Sequence, residues 1–195
     1  VEEYAKSLGV RISKPVVSDH FFPLVFDKYI TIASDEGKSA KHYEHYGIVL
    51  ELIKPALTQA GIKIIQLGGN SVLTGADQVF QLPFKQNCYV LNKSLLHVGS
   101  DGVLPHVASA KNIPTVCLFG NVFPSVNRPF WAKTNEHISL APEWETKPCF
   151  ALQDPKKEIS SIKPEEVAAS ILKLLKIKYP LNFTTQHIGR NFGHD

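Results

Sequence analysis

The chain has 195 residues, of which 44% are hydrophobic and 20% charged, and its net charge is +3. That is enough length for one domain with a sizeable core, and too little charge to argue for nucleic acid or an anionic membrane surface as a partner. No apolar run is long enough for a membrane span, no signal peptide opens the chain, and three scattered cysteines, Cys88, Cys117 and Cys149, fit a reducing compartment better than a disulfide framework.

No Cys or His pair shows zinc-ligand spacing. The pairs His42/His45 and His97/His106 read as surface or loop residues. There is no methionine, so Val1 is expected to follow processing or to come from within a longer chain.

Val1 to Gly9 suits the end of a helix closed by glycine. Arg11 to Asp27 contains Pro15, Pro23 and the exposed-looking pair Phe21-Phe22, and reads as a linker or extended segment. Lys28 to Ala33 is the first clear strand, β-branched and aromatic. Ser34 to Tyr46 is a polar loop between strand and helix. In a parallel sheet such a loop lies at the carboxyl edge, where ligands bind. Lys38 and Lys41 are therefore candidates for phosphate contacts, although solvated loop lysines are the plainer reading of that segment alone.

Ile48 to Ala60 has helical period, with Ile48, Val49, Leu52, Ile53 and Ala56 on one face. Pro55 predicts a kink or a late start. Ile62 to Leu67 is a second strand and runs into Gly68-Gly69-Asn70. No G-x-G-x-x-G follows it, so the dinucleotide fingerprint is absent. Ser71 to Leu82 shows no clear element. Phe84 to Ser94 reads as a short helix with Cys88, Val90 and Leu91 inward.

His97 to Ala110 is the stretch around which the rest is organised. Leu95, Leu96 and Val98 suit a buried strand. Gly99 and Gly102 bracket Asp101, which is a good N-cap. Pro105 is tolerated only in a first helical turn. A helix is therefore predicted to begin near Gly102, with its free amides facing the space beyond the strand end. That is a place for an anion, most often a phosphate; an ordinary capped helix with nothing bound is the equal alternative.

Pro114 to Gly120 is a third clear strand, Asn121 to Trp131 a loop rich in Pro and aromatics, and Ile138 to Leu140 a short edge strand. Glu143 to Ser161 reads as irregular. Pro164 opens the last helix, with Glu165 and Glu166 in its first turn and Val167, Ile171, Leu174 and Leu175 as its buried stripe. The alternation of strands and helices from Lys28 to Lys176 implies an α/β fold, a parallel, doubly wound Rossmann-like sheet with helices on both faces.

Tyr29 to Ile32, the Lys41 loop, Gly68-Gly69, Asp101-x4-His106 with Ala108 and Ala110, Pro114 to Gly120 and Pro124 together resemble the C-terminal half of the heptosyltransferase-like glycosyltransferases of family nine. The resemblance implies one half of a GT-B fold, the half that holds a nucleotide-diphosphate sugar. It implies an interdomain linker over residues 1–27, a nucleotide-sugar-binding domain over 28–178 and a C-terminal extension over 179–195.

It further implies that Asp101 accepts hydrogen bonds from donor-sugar hydroxyls or holds its loop. The amides of Gly102 and Val103 would receive the diphosphate, and Lys41, with Ser39 nearby, would neutralise it. Phe84 would pack on the nucleobase, Gly68 and Gly69 would pass close to the ribose, and His106 would orient the loop or serve as a structural histidine. No metal cofactor is implied. The catalytic base, a carboxylate, is expected in a missing N-terminal domain or a partner chain, and the acceptor is a glycan or lipid-linked sugar. The implied location is cytoplasmic, at most peripheral to the inner membrane.

The family places a hydroxyl residue and then glycine after this aspartate; here Gly102 and Val103 stand there. The expected function is donor binding in an inverting glycosyltransferase. The alternatives are a non-catalytic nucleotide-sugar-binding or assembly module and a GT-B-type nucleotide-sugar epimerase.

Overall fold

A computed structural model describes residues 2–34, 40–69, 71–143 and 158–181. The expectations for Lys38, Ser39, Asn70 and Cys149, for the segment 144–157 and for the extension beyond residue 181 lie outside the described residues.

Six strands form one parallel sheet in the order β3-β2-β1-β4-β5-β6. They are β1 (Tyr29–Ala33), β2 (Lys63–Leu67), β3 (Gln78–Phe80), β4 (His97–Ser100), β5 (Thr115–Leu118) and β6 (His137–Leu140). The helices are α1 (Glu2–Ser7), α2 (Tyr46–Gln59), α3 (Phe84–Asn92), α4 (Val103–Ala110), α5 (Pro124–Asn127) and α6 (Pro164–Leu175). This is the doubly wound order, and it reverses direction between β1 and β4.

Alternation along each strand sends its side chains to two different layers. On one face Ile30, Ile32, Ile64, Leu96, Val98, Val116 and Leu118 pack against α2 and α6. On the other, Tyr29, Ile65 and Leu67 pack against Cys88, Val90 and Leu91 of α3 and Val107 and Ala108 of α4. The segment from residue 10 to residue 24 has no regular structure, as its prolines predict, but it is tied down. Asp19 pairs with Lys111 at 3.1 Å, and Phe22 meets Phe80 edge-on at 5.0 Å. Phe22 is therefore half-buried against the core, which corrects the expectation for it, whereas Phe21 is 72% exposed and meets only the edge of Tyr89, at 5.4 Å.

Three further expectations differ. α2 starts at Tyr46 and runs through Pro55, so there is no late start. Pro55 lies on the solvent side of α2, so the carbonyl of Glu51, which loses its helical donor, is on the exposed face. β3 emerges from a stretch that showed no clear element. His97 is a strand residue with no exposed surface, not a loop or surface histidine.

Candidate functional site at the carboxyl edge of the sheet

In a sheet of this order the loops after β1 and β4 diverge to opposite faces and leave a crevice between them. Lys41 comes from the first loop and Asp101 from the second. They meet across the crevice, with Lys41 Nζ 3.4 Å from Asp101 Oδ2. The Asp101 side chain is 4% exposed and that of Lys41 is 31% exposed.

Asp101 does not cap α4. The N-cap position belongs to Gly102, whose backbone is extended, and no side chain caps the first turn. Asp101 turns instead to Asn127 at the end of α5. Asn127 Nδ2 donates to both carboxylate oxygens, at 2.8 and 2.9 Å. The carboxylate is thereby fixed at the switch point, and the first-turn amides of α4 stay open. Helix N-terminal amides carry partial positive charge and favour an anion.

Close packing sets where Lys41 stands. A Cβ on Gly120, just after β5, would collide with the Ala40 carbonyl oxygen. Only glycine lets the two loops come this near. Gly68 and Gly69, after β2, have φ of 69° and 87°, the left-handed region that glycine adopts freely. Gln81 Nε2 donates to Gly69 O at 2.8 Å and fixes that turn.

Lys41, Gly68, Gly69, Phe84, Asp101, Gly102 and Val103 thus all belong to loops or helix starts at one sheet edge. Phe84 opens α3 and is 49% exposed; Val103 opens α4 and is 58% exposed. His106 is exposed on α4. Asn127, and not His106, holds the Asp101 side chain in place.

Asn127 is the residue that the sequence did not single out. It sits at the end of a four-residue helix in a Pro-rich loop, and it reaches a partner 26 residues away. Below the edge, the His97 imidazole Nδ1 lies 3.0 Å from Thr31 Oγ1, and burial lowers its pKa from 6.5 to about 3. It is neutral in the fold. Burial also pushes the Cys117 thiol up, with the nearby Asp101 charge adding to it, so Cys117 is no thiolate nucleophile. Among the described residues no group of three His, Cys, Asp or Glu side chains could hold a metal ion, and no helix is long and apolar enough to cross a membrane.

The strand order and the paired loops define a Rossmann-like α/β domain with a crevice at its carboxyl edge. Residues 5–160 match the model of glycosyltransferase family 9 (heptosyltransferase), and the chain belongs to that family. No curated protein matches it.

Among solved structures it is similar to the glycosyl transferase family 9 from Veillonella parvula DSM 2008, at 17% identity and a TM-score of 0.58, over 89% of this chain and 50% of that one. It is similar to E. coli heptosyltransferase WaaC with ADP, at 18% identity and a TM-score of 0.58, over 88% of this chain and 54% of that one. It is also similar to E. coli ADP-heptose lps heptosyltransferase II, at 17% identity and a TM-score of 0.55, over 90% of this chain and 51% of that one. The chain therefore spans about half the length of these proteins, and at such identities the likeness is one of fold.

Proposed function

We propose that this chain is the nucleotide-diphosphate-sugar-binding half of an inverting glycosyltransferase that transfers a sugar to a glycan or lipopolysaccharide-like acceptor. The observation that carries the reading is the Lys41–Asp101 pair across the β1/β4 crevice, beside the uncapped first turn of α4. Membership of family 9 supports it, as does the likeness to a structure described as holding ADP.

Sugar transfer from such a donor expels a nucleoside diphosphate, so negative charge grows on the leaving oxygen. Lys41 and the amides of Gly102 and Val103 are the groups that would meet that charge, the electrostatic part of catalysis. In this arrangement they take the part that a metal plays elsewhere. Asp101, braced by Asn127, would hold Lys41 and accept from a sugar hydroxyl through its remaining lone pairs. Gly68 and Gly69 would pass the ribose, and Phe84 would lie against the base. Ser39, two residues before Lys41 in the chain, would join it in neutralising the diphosphate, and His106 would orient the loop. The base that activates the acceptor would come from a second domain or a partner chain.

One observation favours a second reading. Both Asp101 oxygens already accept hydrogen bonds within the protein, and Val103 occupies the place of a glycine, as suits a non-catalytic nucleotide-sugar-binding module.

Calorimetric titration with ADP, UDP, GDP and CDP, each with and without a sugar, separates the readings. One diphosphate is expected to bind saturably. Lys41→Ala is expected to weaken it by about 1–3 kcal/mol while sparing the nucleoside, because a charge-assisted contact is lost. Equal loss for diphosphate and nucleoside would remove Lys41 from the phosphate role. Turnover without an acceptor, seen as sugar isomerisation, would point to an epimerase instead.

A further inference from the structure

A second polar recess lies beside β6, and its lining includes neither Lys41, Asp101 nor Asn127. The turn between α5 and β6 closes over a cavity of about 270 Å³ lined by Arg128, Lys133, Thr134, His137 and Ser139 together with Pro129, Phe130 and Ala132. His137 and Ser139 are two residues apart on β6, so they share a face. Their register partners are Thr115 and Cys117 of β5. His137 Nε2 lies 2.8 Å from Ser139 Oγ, whereas its Nδ1 is buried with no hydrogen-bond partner.

The charges around this imidazole are mostly positive. Burial first, then the charges of Arg128 and of His106 on α4, lower the His137 pKa from 6.5 to about 4. Arg128 is exposed and has no carboxylate partner among the described residues. Lys133 has one competitor, Glu136, at 3.5 Å in an exposed pair, and such pairs hold their charges weakly. Arg128 offers a planar fork, Lys133 a point charge, and Thr134, Ser139 and His137 short-range hydrogen bonds. That combination matches the oxygens of a tetrahedral anion. No residue of the Lys41 crevice lines this recess.

We propose that the recess binds a phosphate or phosphomonoester group, as a site separate from the carboxyl-edge crevice. An anion there relieves the positive surroundings of His137, so binding takes up a proton and tightens as the pH falls. The charges that act on His137 are those of Arg128 and His106; Lys133 lines the same recess and pairs with the opposing Glu136.

The test is titration with inorganic phosphate, and in a second arm with glycerol 3-phosphate, at matched ionic strength. The readout is the ring-nitrogen resonances of His137. A saturable shift is expected. It weakens about tenfold in Arg128→Ala and in Lys133→Ala, each of which removes one charge-assisted contact, and it persists in Lys41→Ala. Arg128 and Lys133 are exposed, so both variants keep the fold.

No shift at tens of millimolar phosphate would overturn the proposal. So would a shift that survives both recess variants unweakened, or one that disappears in Lys41→Ala. In a third arm, a response to phosphatidylglycerol vesicles without a response to either soluble phosphate would assign the charges to a membrane surface and would equally overturn it.

Discussion

Two lysine–aspartate pairs stand at opposite ends of the sheet and are built differently. At the amino end, Asp77 receives Lys54 at 2.7 Å and Lys63 at 3.7 Å, and accepts the Ile64 N–H at 2.8 Å. Lys54 also donates to Gly75 O. Burial raises the Asp77 carboxyl, but the Lys54 and Ile64 hydrogen bonds and the two lysine charges outweigh it and hold the group below its ordinary value. At the carboxyl end, Asp101 is more deeply buried, yet its lysine stands off at 3.4 Å and its hydrogen bonds come from a neutral amide. The first pair ties strands β2 and β3 to helix α2. The second presents a cation at the mouth of a crevice. The same two residue types thus serve cohesion at one end and, in the proposed function, recognition at the other.

The largest expected effect is at the carboxyl end. Gly120→Ala drives a methyl into the Ala40 carbonyl oxygen and to within 2.7 Å of Ile159 Cβ. The Ala40 carbonyl cannot give way without moving the Lys41 loop. A loss of about 3 kcal/mol in urea unfolding is expected, or failure to fold. Unchanged stability would mean that the two loops are not held together as described.

Next comes the strand between the two ends. His97 has a pKa of about 3 in the fold, against 6.5 for a free imidazole. The unfolded chain therefore binds the extra proton. Stability is fully present above pH 6.5 and falls as the pH drops below it. Unfolding followed across that range in the wild type and in His97→Gln should show the slope shrink in the variant.

Asp77→Ala should cost about 1–3 kcal/mol, because two lysines and a backbone N–H lose their acceptor. Nucleotide binding should not change. The Asp77 contribution is present at neutral pH and is lost as the pH falls through its lowered folded value, so Asp77→Asn should flatten the most acidic part of the stability profile. A drop in nucleotide affinity here would erase the contrast between the two ends.

The smallest effect on stability, about 1 kcal/mol, is expected for Asn127→Ala, which leaves the Asp101 carboxylate to Lys41 alone. Its effect on nucleotide-sugar affinity, measured by calorimetry, should exceed that of Asp77→Ala.

Much of the architecture could be read from the chain. β1, β2, β4 and β5 are apolar runs ended by Ser or Gly, and the helices between them carry their period openly. β3 was illegible because it is only three residues, Gln78-Val79-Phe80, none of them fully buried. His97 was misread because an imidazole is polar by type. Its place in the run Leu95-Leu96-His97-Val98 was the available signal that it lies in a strand. Asp101 was located correctly, but its local role was not. A capping aspartate and one reaching across to Asn127 look alike in sequence, since the choice is made by a side chain 26 residues further on. The recess at β6 was invisible for the same reason: Arg128, Lys133 and His137 converge only once the loop closes over the edge strand.

The position of β1 has a consequence for how the molecule comes to exist. In chain order the first strand of this sheet, β1, is a central one, and one of its two neighbours is β4, with Thr31 and His97 meeting across 66 residues. Until β4 arrives, β1 has an unsatisfied hydrogen-bonding edge of Ile- and Tyr-bearing backbone, a template for pairing with another chain. Contacts so distant in sequence also close slowly. A chain released before β4 is complete would therefore be sticky at its own centre, and the yield of native protein should depend on concentration during refolding even though the finished sheet hides that edge.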